Sequence, residues 1–114
     1  MSINIPKEIN FKSEISASRD TAYFSGEIDT VDSNKFLTPF FKKIINQMGE
    51  SVTLDFSKLE FINSPGLKCI VSFILERNPS SIVTFIVDKT KNWQRKSLEV
   101  IQSLDEDKIL ITEV

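Results

Sequence analysis

Between residues 51 and 87 the hydrophobic pattern changes period twice, which restricts the fold more than any other feature of the chain. Ser51 to Phe56 (SVTLDF) alternates apolar and polar residues, as a strand with one buried face does. Pro65 to Arg77 then places Leu67, Ile70, Val71, Ile74 and Leu75 at helical spacing. Ile82 to Val87 (IVTFIV) is apolar at nearly every position and reads as a central strand covered on both faces. Strand, helix and strand in so short a span make a βαβ crossover, hence a parallel pair within an α/β fold.

The flanks extend that unit. Phe11 to Ala17 alternates, Thr21 to Ser25 is short and aromatic, and the polar Ser18-Arg19-Asp20 between them predicts a β-hairpin. From Asp32 to Met48, residues Phe36, Leu37, Phe40, Phe41, Ile44, Ile45 and Met48 form an amphipathic stripe. Pro39 lies inside it, so the helix either kinks there or restarts with Thr38 as a cap. A further helix over Lys91 to Ser103, burying Leu98 and Ile101, leads to a last strand at Ile109 to Thr112. The predicted order is ββαβαβαβ: one α/β domain over residues 11–114, with a mixed, mostly parallel sheet. Residues 1–10, which contain Pro6, are expected to be a leader that adds an edge strand or stays loose.

Composition removes many functions. The chain has 114 residues, one cysteine (Cys69) and no histidine, so disulfide frameworks, Cys/His zinc sites and Ser-His-Asp or Cys-His catalytic sets within it are excluded. Cys69, one turn into an apolar helix, is expected to be a small buried hydrophobe, and Trp93 a half-buried packing residue. The net charge is −2 and no basic run is longer than the Lys42-Lys43 pair, which leaves nucleic-acid binding without support. Apolar runs stop at three residues, as in Phe73-Ile74-Leu75, too short for a signal peptide or a membrane span. A soluble, cytoplasmic protein is expected.

Chemistry could reside in two loops. In Phe61-Ile62-Asn63-Ser64-Pro65-Gly66-Leu67 a strand meets a helix, and proline at the first helical position pushes Ser64 toward the extended region of an N-cap. Ser64 is the expected cap, a role worth about 1 kcal/mol. Gly26-Glu27-Ile28-Asp29-Thr30 reads as the turn from the hairpin into the first helix, and right-handed crossovers can bring it beside the Ser64 loop. Glu27, Asp29 and Asp32 suit a solvated helix cap better than a metal site, and none is expected.

GEID at Gly26 to Asp29, with VTLDFSKLEFINSPGLK from Val52 to Lys68, resembles the STAS domain, and within it the anti-sigma factor antagonists of bacterial partner-switching systems. The resemblance extends over residues 11 to 112. It implies that Ser64 matches the serine phosphorylated in the family's F-x-D-S-S/T-G-L loop, that Gly66 and Leu67 match the Gly-Leu after it, and that Asp29 matches the acidic turn. Asn63 stands where the family usually has Asp, and Pro65 where it has Ser or Thr. The implied partner surface comprises Glu27, Asp29, Thr30, Asn63, Ser64, Pro65, Gly66, Leu67 and Lys68.

The implied partner is a serine-kinase anti-sigma factor of histidine-kinase-like ATPase fold, bound while Ser64 is unphosphorylated, with a PP2C-type phosphatase as a further partner. The kinase would bring ATP and catalysis, so this chain is expected to be no enzyme and to need no cofactor. The alternative implied by the resemblance is a constitutive adaptor subunit of a transporter ATPase or other complex, which Asn63 and Pro65 suit. An enzyme or small-ligand sensor would need a nucleophile and base pair that the sequence does not offer.

Overall fold

The computed structural model describes residues 2–3, 11–15, 20–29, 31–47 and 49–114. Residues 1 and 4–10 of the expected leader, most of the predicted hairpin turn, Thr30 and Met48 of the expected helical stripe lie outside them. The elements are β1 (Ser2–Ile3), β2 (Phe11–Ile15), β3 (Thr21–Ile28), α1 (Ser33–Gln47), β4 (Ser51–Ile62), α2 (Ser64–Glu76), β5 (Ile82–Val87), α3 (Asn92–Gln102) and β6 (Ile109–Glu113). From β2 onward this is the ββαβαβαβ order read from the sequence. β1 adds an antiparallel edge through the pairs Ser2↔Glu14 and Ile3↔Ser13.

The six strands lie in chain order, β2 against β3 antiparallel and β3 to β6 parallel. Crossovers of one hand that all advance in one direction leave all three helices on one face of the sheet. The burial pattern follows: Ala22, Phe24, Leu54, Val83, Phe85, Val87 and Ile109 are buried, while Tyr23 (45% exposed), Ile82 (38%) and Leu110 (45%) lie on the other face. This corrects the expectation for β5. IVTFIV is covered on one face only, because no crossover reverses direction to carry a helix to the other side.

The helix-covered face is packed with phenylalanine. Phe24 stacks on Phe56 with ring centroids 4.7 Å apart and meets Phe40 edge-on at 5.5 Å, while Phe41 bridges to Phe73 of α2 at 5.1 Å. α1 keeps a single helical span through Pro39, whose ring lies on the exposed side.

β4 positions the functional end of the molecule. It runs for 12 residues but pairs with β5 only from Ser51 to Asp55. There Asp55 Oδ1 accepts the Ser57 amide at 2.9 Å and its hydroxyl at 2.6 Å, and the strand continues beside β3 alone. Gln94 of α3, with 0% of its surface exposed, replaces the lost neighbour. Its Nε2 donates to the Phe56 and Leu59 carbonyls at 2.7 and 2.8 Å, and its Oε1 accepts the Asp88 amide at 2.7 Å. Lys91 ties the start of α3 to the same stretch, 2.9 Å from the Ser57 carbonyl and 3.0 Å from Glu60.

Candidate functional site

β3 and β4 end together. Glu27 pairs with Phe61 and Ile28 with Ile62, and the Asn63 amide donates to the Ile28 carbonyl at 2.9 Å. The loop carrying Ser64 therefore sits against the end of the GEID segment. GEID itself is not the predicted turn: Gly26, Glu27 and Ile28 are strand residues, and only Asp29 lies beyond β3. The long β4 supplies ladder partners that draw this segment into the sheet. Gly26 takes φ 84 where the register slips between Gly26 and Glu27, a left-handed conformation that glycine adopts without steric cost.

The entry to α2 also differs from expectation. Asn63 has extended backbone (φ −85, ψ 176), and its Oδ1 accepts the Gly66 amide at 3.0 Å. Asn63 is the N-cap, Ser64 and Pro65 being the first two helical residues. The Ser33 hydroxyl at the start of α1 donates to the same Oδ1 at 3.4 Å, so a contact from another helix holds the asparagine in place. Ser64 is exposed, and its hydroxyl has no hydrogen-bond partner among the described residues.

Gly66 is buried where α2 meets both strand ends. A Cβ there would fall 2.6 Å from Ile62 Cγ1 and 3.0 Å from Ile28 Cγ2. Only glycine lets the first turn of α2 approach β3 and β4 this closely, and that approach sets where Ser64 is presented. Around Ser64, Asp29 and Lys68 are exposed, while Glu27, Asn63, Pro65 and Leu67 are half-buried. Thr30 lies outside the described residues.

The structure adds a feature absent from the sequence reading. Ser64, Leu67, Lys68 and Val71 of α2 face Lys96, Ser97, Val100 and Ile101 of α3 across a groove of about 510 Å³. Leu75, part of the apolar pattern at helical spacing in α2, is 70% exposed, and Val100 is 71% exposed. A signal for the groove was present: both helices carry apolar residues beyond those that the core takes up. Cys69 is a buried residue of α2, where loss of solvation pushes its thiol above the usual range and the Thr38 hydroxyl, 3.9 Å away, opposes that shift. Trp93 is half-buried against the core.

No protein-family model and no curated protein matches the chain. Solved structures do. An anti-sigma factor antagonist from Mycobacterium paratuberculosis superimposes with a TM-score of 0.68 at 15% identity, over 90% of this chain and 85% of that one. The antagonist SpoIIAA in its unphosphorylated form gives 0.60 at 16%, over 91% and 88%. One chain of the complex of the diguanylate cyclase SiaD with its activator SiaC, from Pseudomonas aeruginosa, gives 0.69 at 11%, over 100% and 99%. At these identities the likeness is one of fold: the chain has a STAS-like fold. Among the described residues no helix is long and apolar enough to cross a membrane.

Proposed function

We propose that this STAS-like domain is a phospho-regulated protein-binding module, an anti-sigma factor antagonist that binds a serine-kinase anti-sigma factor while Ser64 is unmodified. One observation carries the reading: Asn63 performs the capping, and Ser64 stands exposed with its hydroxyl uncommitted on the first turn of α2. A kinase could reach that hydroxyl without breaking a hydrogen bond that the fold needs.

Phosphorylation would add about −1.5 to −2 charges at a point where a partner has to lose water. The positive dipole end of α2 favours an anion, so the modification would act on association and leave the fold in place. Asn63 brings no negative charge beside the phosphate. Pro65 removes a second hydroxyl, so a single acceptor remains in Ser64-Pro65-Gly66. The structural neighbours named as anti-sigma factor antagonists, and SiaC, named as the activator of SiaD, support a regulatory, partner-binding role. A PP2C-type phosphatase would reverse the switch.

Pro65 in place of the family's second hydroxyl residue favours one other reading, a constitutive adaptor on a transporter ATPase or similar complex. Tagging the chain in its source cells, identifying what co-purifies, and weighing the intact chain separates the two. A bound kinase of histidine-kinase-like ATPase fold, with a mass increase of one phosphate that disappears in Ser64→Ala, is the expected result. A transporter ATPase held by an unmodified chain would replace the switch with the adaptor.

A further inference from the structure

We infer that the groove between α2 and α3 seats an amphipathic helix of the protein partner, one that carries carboxylates beside its apolar stripe. This rests on the reading of the Ser64 face as a protein-binding surface and adds the chemistry of what binds there. The floor is apolar, formed by Leu67, Val71, Val100 and Ile101. Leu75, one turn beyond Val71, prolongs the α2 side, so from Leu67 the stripe runs about 12 Å, just over two helical turns. An apolar stripe of that length on α2, faced by Val100 and Ile101 of α3, fits a helix laid in a groove and read through anchors at i, i+3 or i+4, and i+7.

The rim decides the charge of the occupant. The chain has a net charge of −2, yet both charged residues lining the groove are lysines, Lys68 and Lys96. Neither makes an ion pair among the described residues, whereas the adjacent Arg95 is committed to Glu99 at 2.8 Å and Glu113 at 2.9 Å. An acidic edge on the partner would meet two uncommitted cations. Ser64 lies four residues before Lys68 on the same helix face, so a phosphate there would compete for Lys68 and repel the partner's carboxylates. The switch and the groove would then act on the same contact.

A photo-crosslinking residue, p-benzoylphenylalanine, placed at Val100 in the full chain tests this in the source cells, with the same residue at Leu110 on the open sheet face as control. The expected result is a link from position 100, absent from position 110, to a segment with helical apolar spacing and flanking Asp or Glu. That segment, synthesised and labelled, should bind the wild-type chain and lose at least tenfold in affinity to Lys68→Glu/Lys96→Glu, with the urea midpoint unchanged. No link at position 100 would overturn the inference. So would a link to a second copy of this chain, to a lipid or to a segment without carboxylates, or an affinity indifferent to the charge reversal. If the partner responds to Ser64→Asp but does not link at position 100, the groove fails while the switch stands. If it links at position 100 but ignores Ser64→Asp, the switch fails while the groove stands.

Discussion

Asn63 Oδ1 accepts the Gly66 amide at 3.0 Å, and this single bond separates the structural task at the start of α2 from any signalling task. The cap lies on one residue and the exposed hydroxyl on the next. Gly66 serves both, since its amide completes the cap and its missing side chain lets α2 close onto Ile28 and Ile62.

Asn63→Ala should lower stability by about 1 kcal/mol, the usual worth of an N-cap, while Ser64→Ala stays within about 0.5 kcal/mol of wild type. Urea unfolding of both variants checks this. Equal losses would return Ser64 to a capping role.

Ser64→Asp should weaken partner binding at least tenfold, about 1.4 kcal/mol, with little change in melting temperature. A carboxylate in the first turn of a helix interacts favourably with its dipole, so the fold has no reason to suffer. Calorimetric titration beside thermal melting decides, and normal binding would remove the electrostatic switch.

Asp29→Ala should harm partner binding more than folding, because Asp29 is exposed immediately beyond the β3 end that abuts the Ser64 loop. If it merely caps α1, the loss would instead be about 1 kcal/mol of stability with affinity unchanged. Affinity and urea midpoint of the same preparation distinguish the two.

Gln94→Leu should destabilise the chain by about 2–4 kcal/mol, since it strands the Phe56 and Leu59 carbonyls and the Asp88 amide without partners in a buried place. Hydrogen exchange should rise first in β4 beyond Asp55. A loss under 1 kcal/mol would mean that water or a neighbour takes over these bonds.

Cys69 should react slowly with thiol reagents in the native chain and fast in urea, as burial predicts. Its folded pKa lies above the unfolded one, so the folded state holds the proton more tightly. That stability is present below the unfolded value and is lost as pH rises through the folded one. The wild-type urea midpoint should therefore fall more steeply than that of Cys69→Ala as pH rises from the unfolded thiol value to the folded one. Parallel curves would place Cys69 in contact with solvent.

Periodicity belongs to the local chain, and the features it controls were legible in the sequence: the order of strands and helices and the Pro65-Gly66 boundary. Tertiary structure decided the rest. Asn63 and Ser64 are comparable caps by chemistry, and the choice between them involves Ser33 of another helix, which no local pattern reports. IVTFIV reads locally as a strand covered on both faces, and strand order alone determines that its helices share a side. Gly26, Glu27 and Ile28 became strand because β4, far away in sequence, runs long enough to pair with them. The groove exists because two helices about thirty residues apart stop short of full contact, leaving Val71 and Val100 facing each other across a gap. A hydrophobic stripe states that a face wants cover; only the packed molecule shows how much of it was covered.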